Sequence, residues 1–202
     1  MGEILFANIG NSDLMFEGKF LGQDQRSKSA EILSGLQEDF DLYRAELEFP
    51  ILSPIIENLK FIDLLILFAS DQHQGMTEDR FWKRDTIGVA QVIKYVFEHD
   101  AKLKGFFGRV EIIPVIYPQN DYDLMFTCYQ KIFQTQVPKI IRQGMKKKEN
   151  EIYISLTGGT PAANMALMYA GMHNVDFGFV QFVYCSESDP HNRVKFLELG
   201  KT

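Results

Sequence analysis

Cysteine is scarce in this chain of 202 residues, which has two, and tryptophan scarcer, with one. Cys128 and Cys185 stand far apart, in neither a C-x-x-C pair nor a metal-ligand spacing, so no disulfide framework is implied. They read as buried thiols in a reducing compartment, the cytoplasm. An excess of positive charge is also missing. Lys and Arg number 21 against 27 Asp and Glu, giving a net charge of −6 and a pI near 5.3. That excludes broad, sequence-independent binding to duplex nucleic acid, which needs a basic surface. The longest apolar runs, Leu64–Ala69 and Met165–Met172, fall far short of the roughly 18–20 residues that span a bilayer. The start, Met-Gly-Glu-Ile-Leu, has no basic region of a signal peptide. Phe at position 6 rules out a myristoylation signal. His73, His99, His173 and His191 have no ligand spacing, so no metal site and no cofactor are expected.

What the chain does have is enough apolar residue for a core: 46% hydrophobic against 24% charged. At about 150 residues per domain, one domain over residues 1–202 is expected. Apolar runs that read as strands alternate with stretches of helical spacing. Ile4–Ile9 is a first strand, closed by Gly10, and residues 10–25 read as a loop. Ile32, Leu33, Leu36 and Phe40 recur as on a helix. Pro50 and Pro54 cut the next stretch, so one helix should end before Pro50 and a short piece should follow. Phe61–Ser70 is almost continuously apolar, as in a strand buried on both faces of a parallel sheet. Ile87, Ala90, Ile93 and Phe97 make a helical stripe, and Val110–Tyr117 a third strand. Asp121–Met145 reads as a helix that Pro138 kinks or splits. Lys146–Lys148 would close it, at the negative end of its dipole. Glu151–Thr157 is a fourth strand, followed by a helix from Pro161; Asp176–Cys185 and Val194–Leu199 read as two last strands. This order predicts an α/β fold with a mostly parallel sheet and helices on both faces. The last two strands should form an antiparallel hairpin, since their link is too short for a helical crossover.

In such a sheet, ligands bind at the carboxyl ends of the strands. Three segments fall there. The sharpest is Thr157-Gly158-Gly159-Thr160-Pro161. The glycines permit a tight turn and close backbone approach. Thr160 suits an N-cap, with Pro161 at the first helical position. The free amides of that first turn can hold an anion. Asn164 lies one turn on, and Ala162, Ala163, Ala166 and Ala170 keep the helix slim against the sheet. No G-K-[S/T] and no G-x-G-x-x-G is present. The plainer reading of the segment is a capped strand–helix turn. Asn8-Ile9-Gly10-Asn11-Ser12-Asp13 is the second segment, either a turn or the opposite lip of a ligand site. The third is Ser70-Asp71-Gln72-His73, either a polar loop or a reader of a base edge. Behind it, Arg84 either reaches a ligand or pairs with a surface acid, and Trp82 either anchors the core or stacks on a purine. Ser12 and His73 lack a nucleophile elbow to make them a catalytic pair.

The motifs N-I-G-N-S-D-L after the first strand and I-S-L-T-G-G-T-P-A-A-N-M-A-L after a late one resemble the CRISPR-associated Rossmann-fold family, the CARF domains. The S-D-Q and K-R-D-T loops are similar to loops of some members. The resemblance spans nearly the whole chain. It implies a Rossmann-like three-layer fold and a homodimer that binds a cyclic oligoadenylate of four or six units across its two-fold axis. Binding would then switch a fused effector in antiviral defence. By position it implies ligand contacts from Asn8, Gly10, Asn11, Ser12 and Asp13, and from Thr157, Gly158, Gly159, Thr160 and Asn164. Asp71 and Gln72 would flank adenine. Many members carry Lys or Arg where this chain has Pro161, and some of those cleave the ring. No effector follows Leu199 within this sequence. The resemblance therefore implies a sensor cut from a longer protein, or a stand-alone ring nuclease.

Overall fold

The structure is a computed structural model and describes residues 2–72, 79–144, 150–173, 179–186, 189 and 193–197. In chain order its elements are β1 (Gly2–Asn8), β2 (Met15–Phe16), β3 (Lys19–Phe20), α1 (Gln25–Glu38), α2 (Phe40–Ala45), β4 (Leu47–Glu48), α3 (Leu52–Leu59) and β5 (Leu64–Ser70). There follow α4 (Asp79–Lys83), α5 (Ile87–His99), β6 (Val110–Val115), α6 (Tyr122–Thr135), α7 (Val137–Gly144), β7 (Asn150–Ser155), α8 (Pro161–His173), β8 (Phe179–Cys185) and β9 (Val194–Leu197).

The main sheet has the order β6-β5-β1-β7-β8-β9. Every pairing is parallel except the last, where β9 returns antiparallel to β8. The side-chain period of two divides the core. Leu5, Ala7, Leu65 and Leu67 face α1, α3 and α5 on one side. Ile4, Phe6, Ile66 and Phe68 face α6, α7 and α8 on the other. This is the Rossmann-like three-layer arrangement, and all of β5 is buried within it. The slim helix is realised: Ala162, Ala163, Ala166 and Ala170 of α8 are buried against the sheet.

Several expectations need correction. Residues 10–25 are not loop throughout. Met15–Phe16 and Lys19–Phe20 make a small hairpin that pairs with Leu47–Glu48 as a separate antiparallel sheet. Its turn is left-handed at Glu17 (φ 51°) and Gly18 (φ 70°), the geometry that suits right-twisted hairpin strands. The second strand of the main sheet begins at Leu64, not Phe61, and Ile62 makes only a single bridge to Phe107. The split expected of Pro138 is present: the long helix breaks at Gln136, since proline has no N–H to bond back into the preceding turn and its ring crowds the carbonyl four residues earlier. Lys146–Lys148 and His73 lie outside the described residues.

Candidate functional site

The chain order reverses between β1 and β7. From β1 the sheet grows outward through β5 and β6; from β7 it grows the other way. Loops on either side of such a switch point part, leaving a crevice at the carboxyl ends of the strands. Both glycine segments are those loops. They enclose, with the loops after β5 and β6, a cavity of about 680 Å³.

The two loops are interlocked. A Cβ added at Gly10 would lie 2.4 Å from the backbone nitrogen of Gly159. A Cβ on Gly159 would lie 2.7 Å from Asn8 Cβ, and one on Gly158 would lie 2.6 Å from the Asn8 carbonyl oxygen. Gly158 (φ 88°) and Gly159 (φ 63°) also need the left-handed region. Glycine is thus required at each by space, and at the latter two by backbone conformation as well. Thr160 caps α8: its Oγ1 accepts from the Ala163 N–H at 3.2 Å and donates to the Gln119 carbonyl. The backbone N–H groups of Asn11, Ser12, Gly158, Gly159 and Thr160 donate to nothing among the described residues. All five residues line the cavity. The result is two opposed stretches of unserved donors, one of them at the positive end of a helix.

Of the residues singled out from the sequence, Gly10, Asn11, Ser12, Gln72, Arg84, Thr157, Gly158, Gly159 and Thr160 line the cavity. Arg84 is exposed and makes no ion pair among the described residues. Asn8, Asp13, Asp71 and Asn164 stand behind the wall. Asn8 is fully buried; its amide nitrogen donates to Asn164 Oδ1 at 2.8 Å, and its Oδ1 accepts from the Tyr129 hydroxyl. Asn164 Nδ2 donates in turn to the carbonyls of Leu156 and Gly158, at 3.1 and 2.6 Å. These asparagines hold the glycine turn from below. Asp13 is also fully buried and accepts the Gly10 N–H at 2.7 Å. Desolvation, only partly offset by that hydrogen bond, pushes its carboxyl up to about 7.

Asp71 and Asp85 share Arg26, whose Nη2 lies 2.7 Å from one and 2.9 Å from the other. Asp85 is fully buried and accepts both the backbone N–H and the Nε2 of Gln72. That fixes which way the Gln72 amide points. Trp82 is neither a core anchor nor a cavity wall, and lies instead under the Arg26 guanidinium at 5.0 Å. Phe81, Thr86, Gln119 and Asn120 line the cavity as well and were not singled out from the sequence. The Pro118-Gln119-Asn120 turn at the end of the third main strand was the available signal, under the same rule that marked the other strand ends.

Among solved structures, the chain is similar to Enterococcus italicus Csm6 bound to cyclic hexa-2'-fluoro-hexa-dAMP. The likeness is one of fold. It has a TM-score of 0.52 at 15% identity and covers 98% of this chain. The chain spans 42% of that protein's length. No family model matches, and no curated protein matches by sequence. Among the described residues, no group of three or more His, Cys, Asp or Glu is placed to hold a metal ion, and no helix is long and apolar enough to cross a membrane.

Proposed function

We propose that this chain is a CARF-like sensor domain that binds a cyclic oligoadenylate of four or six units as a homodimer. In this reading the domain controls an effector fused to it, in the cytoplasm, as part of antiviral defence. The observation that carries the proposal is the pair of opposed amide stretches at Asn11–Ser12 and Gly158–Thr160, facing one cavity across the switch point. Such donors suit phosphodiester oxygens, and charge-assisted bonds of this kind are worth about 1.5–3 kcal/mol each. Phe81 and Gln72 supply a ring and a fixed amide for a base beside them. The Csm6 likeness supports the reading, because that protein was solved with a cyclic adenylate. A cavity of 680 Å³ sits within the ~300–1,000 Å³ range of small-molecule sites. It is too small to enclose a whole ring, so two copies related by a two-fold axis would share one.

Calorimetric titration with rings of four and six adenylates, followed by chromatography of the mixture, tests this. The expected result is tight binding at one ring per two chains, with the ring intact. Linear products would instead make the chain a metal-independent ring nuclease. Affinity for a mononucleotide, with none for either ring, would refute the proposal.

A further inference from the structure

Among the described residues, Asp13 is the one carboxylate built into the cradle itself. It is fully buried, and one oxygen accepts the Gly10 N–H while the other, Oδ1, has no partner among the described residues. The second glycine turn rests on it: a Cβ on Gly158 would lie 2.7 Å from Asp13 Oδ2. The backbone of Asp13 closes the same loop, its N–H reaching the Gly10 carbonyl at 3.4 Å. So the carboxyl holds the N–H just ahead of one stretch of free amides and packs close beneath the glycine that begins the other, yet faces away from solvent. Ionised, it would set a negative charge behind donors whose purpose is to hold an anion. Neutral, it keeps the same contact to Gly10 without that charge.

We infer that Asp13 is a positioning residue that acts as the neutral acid, so that seating an anion on the amide cradle draws a proton onto its carboxyl. The inference takes its ligand from the reading above. Burial already biases the group this way, since it holds its proton to about neutral pH. The titratable neighbours do not compete for the role. Cys185 on β8 is pushed up by burial, with the Asp13 charge acting in the same direction. Tyr129 on α6, which reaches the loops through Asn8, is held well above its ordinary range by burial. The cations nearby are Arg84 on the cavity wall and Arg193 beside Cys185.

The test is titration of the intact chain with the cyclic adenylate that it binds, between pH 6 and 9, in two buffers of different ionisation enthalpy. The expected result is uptake of a fraction of one proton per chain, and an affinity that falls by up to tenfold per pH unit above neutrality. Asp13→Asn keeps an oxygen for the Gly10 N–H and cannot ionise; it should bind with a flat pH profile and no proton uptake. A flat wild-type profile with no proton uptake would overturn the inference while leaving the function standing. So would an unchanged slope in Asp13→Asn. If that variant does not fold, proton uptake by the wild type decides alone. Failure to bind any ring at any pH would refute the functional reading, and this inference with it.

Discussion

Replacing Gly10 with alanine isolates the close approach of the two loops from every other property of the cradle. Gly10 is not among the glycines of positive φ, so the backbone itself tolerates alanine. The obstacle is steric. The new Cβ would lie 2.4 Å from Gly159 N and 3.1 Å from Gly159 Cα, where ordinary contacts begin near 3.4 Å. Both obstacles are backbone, so the loops must part by about 1 Å. Overpacking of this kind costs about 1–3 kcal/mol of stability. A domain of this size then melts roughly 2–4 °C lower for each kcal/mol. Binding should suffer more. Amides from both loops must converge on one ligand, and an added ångström breaks the hydrogen bonds of one side. Losing two charge-assisted bonds removes about 3–6 kcal/mol, or two to four orders of magnitude in Kd. Gly18→Ala is the control. It carries φ 70° with open space around it, at the tip of the β2–β3 hairpin. Left-handed strain there costs about 1–2 kcal/mol with no reason to change affinity. Melting curves and calorimetric titrations of both variants with cyclic oligoadenylate check the argument. Wild-type affinity in a folded Gly10→Ala chain would refute it.

The Asp13 carboxyl also governs stability. Its folded value near 7 stands above the ordinary 3.8, so the unfolded chain releases this proton first as pH rises. Stability from this group therefore falls between about pH 4 and 7, by about 4 kcal/mol at roughly 1.4 kcal/mol per unit. Urea unfolding at pH 5 and 8 should show about 3 kcal/mol of that loss in the wild type, and none from this position in Asp13→Asn. Arg26→Met strands the fully buried Asp85 without its cation, which should cost about 3–5 kcal/mol in the same assay. At the other end of α5, burial opposes ionisation of Asp100, but the Lys102 N–H and Arg44 outweigh it and hold its carboxyl below the usual value. Its contribution is present above pH 3.8 and is lost as pH falls through the lowered value. Arg44→Ala should therefore weaken the protein at pH 7 and flatten its acid denaturation curve.

The sheet was legible because burial on both faces leaves a run such as Leu64–Ser70 with no polar residue until its end. The glycine turn was legible because cap chemistry is local: Thr160 and Pro161 announce the start of α8 within two residues. The β2–β3 hairpin escaped notice for the opposite reason. Its strands are two residues long, its Glu17-Gly18 turn is not a strong hairpin pair, and its other partner, β4, is remote in sequence. Asn8 and Asp13 were legible as members of the site but not in their place. Sequence puts a polar residue at the end of a strand; only packing decides whether it faces the cavity or holds the loop from behind. Gln119 and Asn120 became site residues through the position of β6 beside β5, and through the bond from Thr160 to the Gln119 carbonyl.

An acidic chain can offer a site to an anion only if its carboxylates are kept from facing it. Among the described residues, none that lines the cavity is an aspartate or glutamate, while one, Arg84, is a cation. Four aspartates adjoin lining residues in the chain: Asp71 and Asp85 share Arg26, Asp121 accepts the Leu124 N–H as the N-cap of α6, and Asp13 is buried where holding a proton is favoured. On the two glycine loops the free donors include five backbone amides, which carry no net charge and cannot be lost by side-chain substitution. Selectivity must then come from shape, which is why the requirement for glycine falls where the loops meet. A cluster of lysines would attract any polyanion. Fixed amides on two interlocked loops would hold one whose oxygens match their spacing, and the charge of −6 on the chain would turn the rest away.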